Sequence, residues 1–384
     1  MVEISILTMT HGMLSAVIED LHGWRRWGGL ALVAWVWATL GCVAEPSDGG
    51  ECLVEAPEEV VHTESIDFLP FGTDLGEICP SSFTASEEHA RWVATVWGDA
   101  PKSFDYEVFD SKDNPCWFCL EGAGACYAHG TVGSTRVPER HEIAHAVRGS
   151  PCYPLIEEGW AMLHGEHFQL AQTSGDVRAA VAAIARPGGL PGEFYPVAAR
   201  FVAFLIETRG VVALREMCEH DADDPDSFDA SLSAVYGKSL DELATEFEGY
   251  PEWGLSHIRQ DQACEASAGL VSPASWSFDF PCGPGVEGKR GEWMQAAQVV
   301  ELPESGPYRF DFVTAVDLDL TVELRSCERD GMASVYFSRA WKRPGPDSPD
   351  PIVLFDLPAG IYVIRVAQDE PVDVALEMSV GSAL

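Results

Sequence analysis

From about Ser272 onward the hydrophobic period changes to two, and hydrophobic and polar residues alternate in short runs. Tyr308, Phe310 and Phe312 alternate with polar residues, and so do Val316, Leu318, Leu320, Val322 and Leu324, whose partners include Asp317, Asp319 and Glu323. Val372, Val374, Leu376, Met378 and Val380 close the chain in the same way. A period of two between Pro/Gly turns predicts antiparallel strands with one buried face, here a β-sandwich over residues 265–384. Between Pro138 and Tyr250 the pattern turns helical. It is interrupted at Pro187-Gly188-Gly189 and at the acidic stretch from Asp221 to Asp226. That stretch lacks the spaced ligands around a central Gly that a calcium loop needs, so it reads as a solvated turn between helices. Upstream, strands are expected at Ser65 to Leu69, Phe104 to Phe109 and Thr131 to Arg136, and a helix at Ala85 to Trp97. The expected fold class is therefore α+β: a domain over 62–258 with a small sheet and several helices, then an all-β sandwich. Residues 42–61, which include Glu45-Pro46-Ser47-Asp48-Gly49-Gly50, read as a polar linker.

Composition adds compartment and partner class. At 384 residues the chain is too long for one ordinary domain, and its 46% hydrophobic content suits folded cores. Against 24 Lys+Arg stand 61 Asp+Glu, a net charge of −37, which repels phosphate backbones and excludes ordinary nucleic-acid binding. Arg25-Arg26 precede an apolar run from Trp27 to Gly41. This run is shorter than the roughly 20 residues of a membrane span and fits a signal peptide over 1–41, so the chain is expected to be exported. Eleven cysteines, with Cys42 set aside at the end of that signal, leave ten for up to five disulfides. Cys264 with Cys282 is the expected local pair. Cys116-Trp-Phe-Cys119, followed by Cys126 and Cys152, has the spacing of redox and zinc-knuckle sites. Oxidised structural cysteines fit an exported chain better.

The chemistry is concentrated in His141-Glu142-Ile143-Ala144-His145. On a helix, positions i and i+4 share a face, so both imidazoles can grip one ion, and Glu142 then stands beside the open coordination position. There it can take a proton from a water whose pKa zinc has lowered towards 7. About 0.05 such matches are expected by chance in a chain of this composition, so the motif needs its context. Pro138 can occupy the first turn, Glu139 suits the helix dipole, and Gly149 with Pro151 stops the helix. Pro154-Leu-Ile-Glu-Glu-Gly-Trp-Ala161 then reads as the start of a second helix, with Glu157 and Glu158 both available as a third ligand. His164 and His167 read as surface or supporting residues, and His129, near the cysteines, as structural.

This arrangement resembles the gluzincins, metallopeptidases with an H-E-x-x-H helix and a glutamate ligand on a following helix. The pattern is similar to that of the peptidase MA-like group, whose second helix carries W-L-x-E-G-x-A; here the family's Trp is replaced. The resemblance implies a bound zinc ion (Zn2+) held by His141, His145 and Glu158, with Glu142 as general base. It further implies that Gly159 and Ala161 let the two helices approach closely. It extends over roughly residues 62–250. Tyr195, at the start of Tyr195-Pro-Val-Ala-Ala-Arg, is positioned like the phenol that some gluzincins aim at a developing oxyanion. Thr39-Leu40-Gly41-Cys42 resembles the lipobox of bacterial lipoproteins, with its first two positions exchanged, so membrane contact is expected only through lipid on Cys42. Leu357-Pro-Ala-Gly-Ile-Tyr362 resembles a turn-and-strand of the sandwich modules appended to secreted peptidases. The expected activity is zinc-dependent hydrolysis of a peptide or protein substrate. The rival expectation is a non-catalytic surface-binding protein whose sandwich recognises the ligand.

Overall fold

The computed structural model describes residues 59–114, 116–119, 123–148, 152–165, 175–184, 189–220, 222–250, 263–264, 269–280, 282–290, 292–314, 318–327, 335–341, 352–368 and 374–382. The signal and lipobox residues, most of the linker, His167 and Pro187-Gly188 lie outside the described residues.

β1 (Val61–His62) and β2 (Ile66–Phe71) form an antiparallel pair. α1 (Pro80–Trp97) then carries the chain across to β3 (Phe104–Phe109), which lies parallel to β2. β4 (Ala125–Ala128) and β5 (Thr131–Ser134) complete a five-stranded sheet of order β1-β2-β3-β5-β4. Ile66, Phe68, Phe104, Tyr106, Val108 and Val132 bury into one core that the helices share. α1 begins five residues earlier than its hydrophobic pattern announces, because Pro80 pre-sets the first turn.

Among the described residues the following α-helical segments come next: α2 (Arg140–Arg148), α3 (Pro154–Gly165), α4 (Val177–Ile184), α5 (Tyr195–Cys218, kinked at Gly210, where φ is 80°), α6 (Pro225–Tyr236) and α7 (Leu240–Glu248). α3 is the hub, packed on α2 at one side and on α5 at the other. The expected tolerance for close packing is present, with a different partner. A Cβ on Gly159 would meet the carbonyl oxygen of Ala198 on α5 at 2.5 Å, so Gly159 serves the α3–α5 contact. Gly165 serves α2: a Cβ there would come within 2.3 Å of the His141 Cα. Pro138 precedes α2 through a cis bond from Val137 instead of sitting in its first turn, and the Glu139 carbonyl accepts the first helical hydrogen bond from Ile143. Asp224, within the acidic stretch, caps α6 by accepting from the Asp226 and Ser227 N–H groups, which is the turn role expected of it.

Among the described residues, those from 269 onward form strands and turns. β6 (Leu270–Val271), β7 (Ala274–Phe280), β8 (Val286–Gly288), β9 (Met294–Leu302) and β10 (Gly306–Thr314) come first. β11 (Leu318–Ser326), β12 (Val335–Trp341), β13 (Ile352–Leu357), β14 (Gly360–Gln368) and β15 (Val374–Ser382) complete it. One sheet runs β13-β10-β15-β7 and the other β12-β11-β14-β9-β6, with β8 added on β9. Phe278, Phe280, Phe310, Val322, Leu324 and Val366 fill the space between them, the inward half of the alternation read from the sequence.

A polar and covalent seam joins the sandwich to the start of α1. Cys79 is disulfide-bonded to Cys282 across 203 residues. Around it the Cys79 N–H donates to the Gly288 carbonyl at 2.9 Å, the Gly288 N–H to Ser82 Oγ at 2.8 Å, and the Arg290 N–H to the Glu77 carbonyl at 2.9 Å. This corrects the expected Cys264–Cys282 pair. Cys264 bonds Cys327, just past β11, while Cys282 sits in the turn that faces α1. The Cys116 cluster is oxidised: Cys119 pairs with Cys126, and Cys116 is disulfide-bonded as well. Cys152 pairs with Cys218, tying the approach to α3 to the end of α5. Disulfides are therefore a main feature of the fold, in agreement with the reading of an exported chain.

Candidate metal centre

α2 places His141 and His145 one turn apart on the face that looks at α3, and all nine of its residues are buried. α3 supplies Glu158 from the opposite side. Glu158 Oε2 stands 3.2 Å from His141 Nε2 and 3.5 Å from His145 Nε2. One ligand atom from each of the three residues lies within 4.8 Å of the others, and all three side chains are buried, so the group can hold a metal ion. Three donors held about 2.0–2.1 Å from one ion at tetrahedral angles stand roughly 3.3 Å apart. The 3.2 and 3.5 Å separations bracket that spacing, so Glu158 stands at ligand spacing from each histidine.

Electrostatics keep the carboxylate ready. Burial acts to raise the Glu158 pKa, but the charge of His145 and hydrogen bonds from both imidazoles outweigh it and hold the carboxyl well below its ordinary range. Glu158 is thus ionised, the form that a cation requires.

Glu157, the other glutamate read as a ligand, faces elsewhere. Its Oε1 accepts from the Arg148 guanidinium and from the Cys152 N–H, and its Oε2 lies 3.8 Å from His145 Nδ1, the ring nitrogen that points away from Glu158. Two adjacent carboxylates therefore bracket one imidazole, one on the metal side and one behind it. Of the two glutamates, Glu158 is the one grouped with both histidines.

Glu142 lies on α2 between the two histidines and is buried at the site. Tyr195, the first residue of α5, stacks on His141 with ring planes 5° apart and centroids 5.8 Å apart. The structure thus brings the residues singled out from the sequence, His141, Glu142, His145, Glu158 and Tyr195, into one neighbourhood. His164, expected at the surface or in support, is 4% exposed and supports α3: its Nδ1–H donates to the Trp160 carbonyl at 3.0 Å and its ring packs on Trp160.

Three residues around the site escaped the sequence reading. His89 on α1 donates from Nε2 to the Arg140 carbonyl at 3.2 Å. Trp92 fills the space between His89 and His164, with centroids 5.7 and 5.6 Å away. Tyr106 on β3 braces the segment before α2: its O–H donates to the Arg136 carbonyl at 2.5 Å and its oxygen accepts from the Glu139 N–H at 3.0 Å. Burial holds the Tyr106 phenol well above its ordinary pKa, so it keeps the proton it donates. A tyrosine inside an alternating strand carries no local mark that its hydroxyl serves a distant helix.

No family model and no curated protein matches this chain. Among solved structures, it is similar to the pre-peptidase C-terminal domain of collagenase from Bacillus anthracis at 12% identity, with 29% of this chain and 90% of that chain covered and a TM-score of 0.21. A family 35 carbohydrate binding module from Clostridium thermocellum is 16% identical over 23% of this chain and 70% of that chain, with a TM-score of 0.17. Likenesses of this size carry no argument about function.

Proposed function

We propose that this chain is an exported zinc-dependent metallopeptidase of the gluzincin kind. The observation that carries the reading is the convergence of His141, His145 and Glu158, with Glu142 between the two histidines on the same buried helix. Two imidazoles and one carboxylate are the donors that would hold a catalytic zinc ion. Zinc at such a set lowers the pKa of a water and polarises a carbonyl oxygen.

The chain's own residues supply the rest. Glu142 takes the water proton onto its carboxylate and later delivers it to the leaving amine, the general base and then general acid of amide hydrolysis. Tyr195, whose ring stacks on His141, would donate its phenol O–H to the oxygen that gains charge in the transition state. Arg148 holds Glu157, whose carboxylate lies 3.8 Å from His145 Nδ1. The disulfides accord with an oxidising compartment outside the cytosol. The substrate class is a peptide or protein.

The test compares metal content and peptide hydrolysis of the purified chain with those of Glu142→Gln. About one zinc per chain in both proteins, with hydrolysis lost in the variant, is the expected result. An unchanged hydrolytic rate in the variant removes Glu142 from the mechanism, and a chain that takes up no metal removes the reading altogether.

A further inference from the structure

The sandwich touches the metal helix as well as α1. Arg140, the first residue of α2 and the neighbour of His141, is 7% exposed and reaches out of its own domain to Glu287 on β8. One guanidinium nitrogen donates to both carboxylate oxygens, at 2.8 Å to Oε1 and 2.7 Å to Oε2. Glu287 is itself held in place, because the amide of the buried Gln295 on β9 donates to its Oε2 at 2.7 Å. A second contact lies just upstream, where the Arg136 guanidinium sits 5.9 Å over the Trp293 ring.

We propose that Glu287 is a positioning residue for the metal site, and that the sandwich thereby sets the site's affinity for its ion. Arg140 is gripped at both ends: Glu287 holds its guanidinium and His89 holds its carbonyl. Gly165 packs directly on the backbone of His141, which leaves α2 little room to slide. Rotation about the helix axis is the remaining freedom, and the long lever from Glu287 to Arg140 opposes it. An imidazole nitrogen lies about 6 Å from the axis of its helix, so a turn of about 20° carries it about 2 Å. Productive metal geometry tolerates roughly 0.5 Å. The bidentate contact therefore controls a displacement that decides whether His141 and His145 meet one ion. This inference rests on the metal-site reading and is independent of the hydrolytic one.

The test uses the full chain with its disulfides intact, zinc affinity by competition with a chromophoric chelator, and the visible absorption of Co2+ as a probe of ligand geometry. In Glu287→Gln zinc affinity should fall about tenfold and the Co2+ bands should weaken, as expected when support behind a ligand is lost. Gln295→Met, which removes only the donor to Glu287, should lower affinity about threefold and keeps the question answerable where Glu287→Gln fails to fold. Val300→Ala, a cavity in the sandwich core away from this contact, should lower the melting temperature and leave zinc affinity unchanged. Zinc affinity equal to the parent's in every folded variant of Glu287 or Gln295 overturns the proposal, as does a loss in Val300→Ala that tracks its stability. A parent chain that binds no zinc fails earlier, at the metal site itself.

Discussion

Glu157 stands 3.8 Å behind the His145 ring, at Nδ1, while its chain neighbour Glu158 faces the Nε2 of the same ring at 3.5 Å. Residues adjacent on a helix point about 100° apart, so both can address one imidazole only because α2 lies across α3 with His145 set between them. The arrangement assigns opposite duties to two identical side chains. On the proposed reading Glu158 would be the ligand, and Glu157, whose carboxylate lies 3.8 Å from Nδ1, would bias the ring's orientation through its charge.

Glu158→Gln should abolish zinc binding in the micromolar range, because the neutral amide is a far poorer ligand. Glu157→Gln should bind zinc about tenfold more weakly than the parent while keeping one ion per chain. Chelator competition on the two variants measures both. Equal losses would mean that the two carboxylates share the ion.

Gly165→Ala forces a methyl group against the His141 backbone, at 2.3 Å from Cα and 2.5 Å from N. Neither partner is a flexible side-chain end, so α2 and α3 must separate. A destabilisation of about 3 kcal/mol, at the upper end for overpacking, is expected in chemical denaturation, together with loss of metal. Gly159→Ala should cost a similar amount through the Ala198 carbonyl.

Glu107, half-buried on β3, has its pKa raised to about 7, first by burial and then by Asp105 on the same strand. The folded pKa lies above the unfolded value, so the native state binds the extra proton. Stability is then greatest below the unfolded value near 4.5 and falls as pH rises towards 7. Glu107→Gln should raise the melting temperature at pH 8 and leave it nearly unchanged at pH 4. A gain of equal size at both pH values would show that the carboxylate charge is not the cause.

Replacing Cys79 and Cys282 together by Ser should destabilise the chain by about 2–5 kcal/mol. The same double variant should leave zinc affinity nearly intact at low temperature, since Arg140 and Glu287 still meet. Calorimetry and chelator competition on one preparation separate the two effects.

The sequence was most informative wherever a feature depends on neighbours along the chain. Alternation located β10, β11 and β15, and the run Phe104–Phe109 matched β3 to the residue. His141 and His145 were legible from their spacing on one helix, and a glutamate 16 or 17 residues after His141 was legible as a partner, while the choice of Glu158 over Glu157 was what the resemblance implied. Arg140 with Glu287, 147 residues apart, was not legible, because nothing in either neighbourhood marks the other. Cysteine pairing failed for the same reason: short separation favoured Cys264 with Cys282, whereas the contact of the sandwich with α1 places Cys79 beside Cys282. Burial of His164 was hidden because a polar residue on a helix reads as surface until its aromatic neighbours are known.

The bond between Cys79 and Cys282 closes a covalent ring around every residue of the metal centre, because α2, α3 and the start of α5 all lie between its ends. A chain exposed to proteases is cut at its exposed turns. Any single cut between those two cysteines leaves both fragments on one covalent frame, so damage that would shed half of an unringed chain leaves this one in a single piece until it is reduced.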